Sequence, residues 1–431
     1  MESSHSTMKG VQAGRHETPQ RNVVSSRLQT VLQRLAINDS SLSSLEIHTL
    51  VLKANECIEL ASALSSNSTL TALRISSRCI SSKGIGLLGI SLSSNNTLTS
   101  LDLTKNAILP EGAKYIADAL TSNFALTSLD ISYNSIADEG ARYIAGALSS
   151  NSTLTSLNLS ANLIQDEGAR HIAAALSLNS ALTFLNLHWS KISPPGARQL
   201  AAALSSNFTL TSLILSSNSI QDEGVSHIAT ALSSNSTLTS LTLSSNSIQA
   251  GGVRHVAAAL SSNSTLTSLN LCSNSIQDEG TRHIAAALRS NFTLTSLDLS
   301  SNVIHAEGAR HIAAALSSNS TLTSLNLYSN LIQDEGAKYI AAALPSNFSL
   351  TSLNLHWNTI SPSGTRQLAV ALSSNFTLTS FDFFGDNSIP PEGRREFSLL
   401  NSRNRCNRSN REFTLFQMLP LSLAPLETNF Q

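Results

Sequence analysis

The sequence predicts an α/β fold: a right-handed, horseshoe-shaped solenoid with parallel strands on its concave face and helices on its convex face. Three observations lead to this prediction. A unit of 28 residues recurs from residue 42 onward, each repeat contains a short segment of alternating apolar and polar residues, and a segment with helical spacing of apolar residues follows it. Internal repeats of this length are typical of solenoids, in which each repeat contacts its neighbours.

The repeat is defined by the phrase L-T-S-L-x-L-S-S-N-S-I and its close variants. Its first leucine stands at positions 42, 70, 98, 126, 154, 182, 210, 238, 266, 294, 322, 350 and 378. Thirteen repeats are therefore predicted over residues 42–406. The flanking segments are predicted to be a disordered tail over 1–22, an N-terminal cap helix over 23–41, and a C-terminal cap and tail over 407–431.

The strand is predicted from a period of two. In the fourth repeat, Leu129 and Ile131 alternate with Ser128, Asp130 and Ser132. The polar residues occupy the third, fifth and seventh positions of the repeat, and we expect them to face the concave surface. Across most repeats these positions hold Ser, Asn, Asp or Thr, which predicts a neutral surface rich in hydrogen-bonding groups.

The helix is predicted from apolar residues at offsets of zero, three, four and seven, which in the fourth repeat are Ala141, Ile144, Ala145 and Leu148. Asp138 is predicted to cap this helix. Glu139 is predicted to lie in the first turn, where its negative charge interacts favourably with the positive end of the helix dipole. Where the Q-D-E-G phrase of most repeats is replaced by a segment that begins Ser193-Pro194 or Ser361-Pro362, the serine is predicted to be the cap, followed by proline.

The ninth position of most repeats is asparagine. We expect its amide to turn inward and satisfy backbone groups where the chain leaves the strand. The residues in this predicted structural ladder are Asn106, Asn134, Asn162, Asn218, Asn246, Asn274, Asn302, Asn330 and Asn358.

The pattern L-x-x-L-x-L-x-x-N-x-L resembles the leucine-rich repeat. The 28-residue length and the helical G-A-x-x-I-A-x-A-L are most similar to the ribonuclease-inhibitor-like subtype, which includes ribonuclease inhibitor, Ran GTPase-activating protein and the repeat domains of NOD-like receptors. The resemblance covers most of the chain and implies a protein-binding scaffold that uses the concave face and rim. It departs from ribonuclease inhibitor in having few cysteines and a neutral concave face.

Composition limits the class of partner and the location. Charged residues make up 13% of the chain and its formal net charge is −1, so no global field favours nucleic acid or an acidic membrane. The four cysteines are widely separated, which is typical of a reducing compartment. With no apolar stretch that could act as a secretory signal or membrane span, the chain is predicted to be cytoplasmic, without nucleic-acid or membrane partners.

The sequence contains no catalytic motif, so we predict that the protein is not an enzyme and uses no cofactor. Histidines recur at one helix position, but ligands of a metal ion must converge, and neighbouring helices lie about 10 Å apart. We therefore predict no metal site. The members of this histidine series are His171, His227, His255, His283 and His311.

Candidate partner-binding residues lie where repeats differ from one another. The sixth and twelfth repeats share unusual residues, and aromatic residues of this kind anchor protein interfaces. Two interpretations remain open: a duplicated block that copied its oddities, or paired anchors for one partner. The candidates are Phe184, Asn186, His188 and Trp189 in the sixth repeat, Tyr328 in the eleventh, and Asn354, His356 and Trp357 in the twelfth.

An alternative function follows from the resemblance to Ran GTPase-activating protein. Arg74 and Arg78 lie in the second repeat, where Arg78 replaces the structural asparagine, and Lys105 follows in the third. Positive groups at this edge would suit a GTPase or its phosphates. The resemblance therefore implies, as the alternative to a scaffold, a GTPase-activating or GTPase-binding regulator with a small GTPase as its partner.

Overall fold

A computed structural model describes residues 19–48, 51–383, 398–399 and 402–404. The chain forms two compact units, Met1–Leu157 and Asn158–Gln431. The tail predicted over 407–431 and most of the tail predicted over 1–22 lie outside the described residues. The first helix, α1, spans Pro19–Ala36, so it begins and ends earlier than the predicted 23–41.

Each unit alternates short strands with helices. In the first unit the elements after α1 are β1 (Ser44–Ile47), α2 (Ala54–Ser66), β2 (Ala72–Ile75), α3 (Ser82–Ser94), β3 (Ser100–Asp102), α4 (Leu109–Leu120), β4 (Ser128–Asp130) and α5 (Ala137–Leu148). The strand β5 (Ser156–Asn158) includes the residues at which the two units are divided.

The second unit continues with α6 (Asp166–Leu176), β6 (Phe184–Asn186), α7 (Pro194–Leu204), β7 (Ser212–Ile214), α8 (Gln221–Leu232), β8 (Ser240–Thr242), α9 (Ala250–Leu260), β9 (Ser268–Asn270), α10 (Gln277–Leu288), β10 (Ser296–Asp298), α11 (Ala306–Leu316), β11 (Ser324–Asn326), α12 (Gln333–Ala343), β12 (Ser352–Asn354), α13 (Pro362–Ser374) and β13 (Ser380–Asp382). A short 3₁₀ turn, Leu344–Ser346, follows α12. None of the described helices is long and apolar enough to cross a membrane.

The strands pair in parallel and in chain order within each unit. In the first unit β1 to β4 are neighbours, and Ser100 pairs with Ser128. In the second unit β6 to β13 are neighbours, and Ser296 pairs with Ser324. Each residue therefore pairs with its equivalent one repeat away. The predicted solenoid of parallel strands alternating with helices is confirmed.

One apolar layer lies between strands and helices. The strand residues Leu129 and Ile131 and the helix residues Ala141, Ile144 and Leu148 are all buried. The two apolar patterns that predict a strand and a helix thus meet in a single core. Burying a leucine or isoleucine side chain is worth about 1.5–3 kcal/mol, so this layer supplies most of the favourable free energy of each repeat.

The ninth-position asparagines connect neighbouring repeats. The side chain of Asn246 has no exposed surface, and its Nδ2 donates to the carbonyl oxygens of Leu215 at 2.9 Å and Leu243 at 3.1 Å. Its Oδ1 accepts from the backbone N–H of Ile220 at 3.3 Å. One side chain therefore satisfies backbone groups of its own repeat and of the preceding one.

A second asparagine series, which the sequence analysis did not assign, closes the other end of each strand. Asn235 donates through Nδ2 to the carbonyl of Leu204 at 2.8 Å, and its Oδ1 accepts from Thr237 and Leu238. This residue ends the S-S-N phrase, and its exact recurrence every 28 residues was the available signal. The buried members are Asn67, Asn95, Asn123, Asn151, Asn179, Asn207, Asn235, Asn263, Asn291, Asn319, Asn347 and Asn375.

The predicted role of Asp138 is wrong. Helix α5 begins at Ala137 with Ile136 at its cap position, and Asp138 lies inside the first turn. Ala137, the residue before Asp138, is left-handed with φ of 54° and is already the first residue of the helix. Asp138 therefore does not occupy the cap position. Aspartates at the equivalent position in the second unit instead accept hydrogen bonds from the helix of the following repeat.

The cap of α11 shows this arrangement. Oδ1 of Asp278, in the first turn of α10, accepts from the backbone N–H of His305 at 2.8 Å and of Gly308 at 3.0 Å. A Cβ atom at Gly308 would lie 2.6 Å from that oxygen, which explains the glycine. Asp166, Asp222 and Asp334 make the corresponding bonds to the starts of α7, α9 and α13.

Ser193 occupies the cap position of α7 as predicted, but its side chain does not cap the helix. Its side chain makes no cap hydrogen bond to its own helix, and its hydroxyl donates to Asp166 at 2.5 Å. Ser361, the equivalent residue before α13, accepts from the N–H of Ser363 at 3.1 Å, so the serine cap predicted there is confirmed. The carboxylate from the preceding repeat is therefore the shared feature of these two helix starts.

Candidate partner-binding surface

The side chains at the third, fifth and seventh positions point away from the core, and we call this surface the strand face. Its fifth-position side chains have a structural function. Asn186 Oδ1 accepts from the N–H of His188 at 2.9 Å, and Asn354 Oδ1 accepts from the N–H of His356 at 3.0 Å. The two predicted asparagines thus hold the backbone where it leaves the strand and orient the histidines after them.

Tyr328, His356 and Trp357 form a contiguous group that we call the aromatic cluster. The Tyr328 and His356 rings meet edge-to-face with centroids 5.8 Å apart, and the His356 and Trp357 centroids are 6.4 Å apart. Tyr328 is 37% exposed and Trp357 is 48% exposed. The cluster joins two repeats, because Tyr328 follows β11 and the other two residues follow β12.

Carboxylates lie on either side of the aromatic cluster. Asp298 of β10 accepts a hydrogen bond from Asn326 Nδ2 at 3.0 Å, and Asp382 of β13 is exposed. The positions between them on the strand face carry no Lys or Arg. The cluster therefore combines an apolar body with polar and acidic edges, which is the composition of an interface anchor.

The sixth repeat carries the same histidine and tryptophan in different surroundings. Trp189 is 55% exposed, while Phe184 and His188 are half-buried. The seventh positions of the adjoining repeats are Ser160 and Ser216, so no tyrosine stands where Tyr328 stands beside His356. At about 4.8 Å per strand, six repeats separate the two tryptophans by roughly 29 Å along the sheet. They are two separate positions and do not form one pocket.

The three cationic candidates do not act together. Arg74 lies between two carboxylates, with Nη1 3.0 Å from Glu46 and Nε 3.1 Å from Asp102. These residues hold the fifth positions of the first three repeats, on β1, β2 and β3, so the strand register brings them together. Arg78 and Lys105 lie elsewhere and line a cavity of about 450 Å³, together with Ser77, Ala107, Tyr133 and Ser135. We call this cavity the cationic pocket.

Three glutamates in the first turns of α6, α10 and α11 form ion pairs with the arginines three residues later. A hydrogen bond from Arg282 lowers the pKa of Glu279 below its usual value, and Nε2 of His283 lies 3.3 Å from the same carboxylate. The same cause lowers the pKa of Glu167 beside Arg170 and of Glu307 beside Arg310. These are repeated ion pairs on exposed helix surfaces and lack the secluded pocket that acid–base catalysis requires.

Neither a reactive cysteine at Cys57 nor a metal site is supported by the described residues. Burial raises the pKa of the Cys57 thiol, which disfavours the reactive thiolate. In the described part of the chain, His, Cys, Asp and Glu do not form any group of three or more that could hold a metal ion. The features that distinguish particular repeats are the aromatic cluster and the cationic pocket, both of which suit binding.

Comparison with solved structures identifies proteins of similar fold. A chain of the yeast Rad7–Elc1 complex has 18% sequence identity and a TM-score of 0.51, covering 88% of this chain and 91% of that one. At this identity the likeness shows the fold alone. Lower TM-scores are found for leiomodin-1 actin-binding site 2 (0.34; 26% identity; 37% of this chain and 91% of that one) and for the C-terminal domain of tropomodulin from Caenorhabditis elegans (0.29; 16%; 31% and 79%).

Comparison with sequence families is more specific, although no curated protein matches the chain. A family profile described as "Leucine Rich repeat" matches nine segments that together make up about half of the chain: 94–117, 122–145, 150–173, 206–229, 234–257, 262–285, 290–313, 318–341 and 346–369. None of these segments covers residues 174–205, which include the strand β6 and Trp189 after it. The chain belongs to the leucine-rich-repeat family.

Proposed function

We propose that this protein is a non-catalytic scaffold that binds a protein partner through the strand face and its adjoining edge. The aromatic cluster is the observation that carries the proposal. Large aromatic side chains dominate binding energy when a partner covers them, and Tyr328, His356 and Trp357 present about half-exposed rings that already contact one another. We also propose that the repeats are of the ribonuclease-inhibitor-like subtype and that the protein is cytoplasmic.

The rigidity of the surface supports this function. In the described repeats the strand face is attached to backbone that two asparagine series hold from both ends, so little of this backbone must be ordered when a partner binds. Low ordering cost leaves more of the contact energy as affinity. A chain of similar fold occurs in the Rad7–Elc1 complex, which fits a binding role.

Trp357 is proposed as the main anchor. We expect Trp357→Ala to weaken partner binding at least tenfold, because truncating a central interface tryptophan costs about 2 kcal/mol or more. The partner would be captured with the wild-type protein from cells that express it, then purified and titrated calorimetrically against each variant. Thermal unfolding would verify that the variants remain folded.

Trp189→Ala is the matched control, since both tryptophans follow a histidine at the same repeat position. If the sixth repeat preserves a duplicated oddity, this variant binds like the wild type. If the two tryptophans are paired anchors, each single variant weakens binding. Unchanged affinity in the Trp357 variant and in the double variant would refute the proposed anchor.

Two of the three predicted cationic residues, and not all three, support the alternative of a GTPase regulator. Arg74 is engaged by two carboxylates, which leaves Arg78 and Lys105 as the cations that favour an anionic partner. A small GTPase is one protein that could present phosphate groups to them. The scaffold proposal does not depend on this alternative.

A further inference from the structure

Arg78 interrupts the ninth-position asparagine series. The other described ninth position without asparagine in the repeats from the second to the twelfth is Ser190, whose side chain is fully buried and whose N–H donates to Asn218 Oδ1 at 3.0 Å. Arg78 is exposed instead. A small residue can replace asparagine and still face the interior, whereas a guanidinium cannot be buried there without a partner.

The backbone around Arg78 differs accordingly. Ser77 and Arg78 are two consecutive left-handed residues, with φ of 68° and 64°, whereas at the serine interruption the left-handed residues are Trp189 and Lys191, on either side of Ser190. The Asn106 side chain of the following repeat accepts from Cys79 and Ile80 at 3.0 Å and 3.2 Å, whereas Asn134 accepts from Asn106 and Ile108, so the turn at Arg78 is shifted by one residue. Arg78 is itself left-handed and exposed, and it lines the cationic pocket.

The second cation of the pocket is held in place by an aromatic ring. Lys105 Nζ lies 5.2 Å from the centroid of Tyr133, within the range of a cation–π interaction. The backbone N–H of Arg78 donates to the carbonyl of Lys105 at 2.6 Å, which fixes the two cationic residues relative to each other. Hydroxyl groups of Ser77, Tyr133 and Ser135 also belong to the lining residues.

The two cations have no carboxylate partner among the described residues, and no acidic residue lines the cavity. This contrasts with the ion pairs elsewhere in that part of the chain, where Arg170, Arg282, Arg310 and Lys338 each pair with a glutamate one helical turn away. Uncompensated positive charge beside hydroxyl donors in a concave site favours an anion.

We propose that the cationic pocket binds a phosphoryl group. A phosphate monoester carries close to two negative charges at neutral pH and several acceptor oxygens, which matches one guanidinium, one ammonium and the nearby hydroxyls. The arginine fork can bind two of these oxygens at once, and the lysine acts as a point charge. The group belongs either to a phosphorylated side chain of a protein partner or to a small phosphorylated molecule.

The test is calorimetric titration of the full-length protein at about 0.15 M salt, where weak surface attraction is screened. The probes are inorganic pyrophosphate, a neutral peptide containing one phosphoserine, and the same peptide without phosphate. We expect saturable binding of one phosphorylated probe per chain and no binding of the unphosphorylated peptide. Binding of the phosphopeptide alone identifies a protein partner, whereas binding of pyrophosphate indicates a small molecule.

Arg78→Asn and Lys105→Ala are each expected to weaken that binding at least tenfold. Arg78→Asn also restores the asparagine of the series, so its thermal stability should equal or exceed that of the wild type and loss of binding cannot be attributed to unfolding. Lys191→Ala is the matched control, because Lys191 is an exposed cation of the sixth repeat outside the pocket.

Two outcomes would overturn the proposal: no saturable binding of either phosphorylated probe, or equal loss of affinity in the Arg78 and Lys191 variants. The pocket does not depend on the aromatic cluster. Trp357→Ala should therefore leave phosphate binding unchanged, and failure of either proposal can be recognised without the other.

Discussion

In the described part of the chain, nine repeats (the third to the fifth and the seventh to the twelfth) contain two buried asparagines whose side chains take the place of missing backbone partners. Asn246 donates to carbonyls of two repeats, and Asn235, at the opposite end of the strand, donates to the carbonyls of Leu204 and Asn207 in the preceding repeat. Asparagine suits this task because its amide donates two hydrogen bonds and accepts others without carrying charge. An aspartate would lack the donors, and a hydrophobic residue would leave several buried backbone groups unsatisfied.

Asn246→Ala is expected to lower the free energy of unfolding by about 3 kcal/mol, since the carbonyls of Leu215 and Leu243 and the N–H of Ile220 lose a buried partner. Urea unfolding followed by circular dichroism measures this change. Ser240→Ala on the strand face is the control, and we expect it to remain within about 0.5 kcal/mol of the wild type. Similar stabilities for the two variants would contradict the structural role.

At the scale of the helix, the first turn is stabilised by a neighbour more than by its own sequence. The residues before α9 and α11, Gln249 and His305, make no side-chain cap hydrogen bond. Asp222 and Asp278 of the preceding helices supply the missing acceptors. A carboxylate beside the N-terminal N–H groups also interacts favourably with the helix dipole.

Asp278→Ala is expected to destabilise the protein by about 1 kcal/mol, the usual cost of losing a helix cap. Asp278→Asn keeps an acceptor oxygen and should lose less. Glu279→Ala serves as the control, because Glu279 forms an exposed ion pair of the kind that contributes little to stability. Equal melting temperatures for the Asp278 and Glu279 alanine variants would show that the bond between repeats is unimportant.

At the scale of the molecule, the helix starts of the second unit follow a period of two repeats. Helices α8, α10 and α12 begin with a left-handed glutamine and carry the aspartate, while α9, α11 and α13 lack it and receive the carboxylate of the preceding helix. Successive repeats in this region are therefore complementary. A change in their order is expected to change the free energy of unfolding.

Two deletions of equal length test this complementarity. Removing 221–248 places α9 directly after α7, which begins with proline and offers no carboxylate, whereas removing 249–276 places α10 after α8 and leaves every remaining helix with its acceptor. We expect the first deletion to be less stable by about 1 kcal/mol. Urea unfolding of both proteins decides the matter, and equal stabilities or the opposite order would contradict the expectation.

Much of the fold is predictable because its periods are short. Leu129 and Ile131 alternate with polar residues, and Ala141, Ile144 and Leu148 follow the helical period, so each pattern reports directly which side of its element is buried. The asparagine of the S-S-N phrase was equally visible as a strict repeat. Its role could not be predicted from the phrase alone, because its amide donates to a carbonyl of the preceding repeat, as Asn235 does to Leu204.

The amino-acid sequence by itself determined the repeat length, the order of strand and helix, and the residues of the shared core, since these depend on contacts within a few residues. Only the tertiary structure decided that Asp278 caps the next helix, that Glu46 and Asp102 neutralise Arg74, and that Tyr328 packs on His356. Each of these contacts joins residues about one repeat apart, and which residues meet there depends on strand register and backbone conformation. For the same reason Arg78 and Lys105 could be recognised as unusual from sequence, while their shared pocket could not.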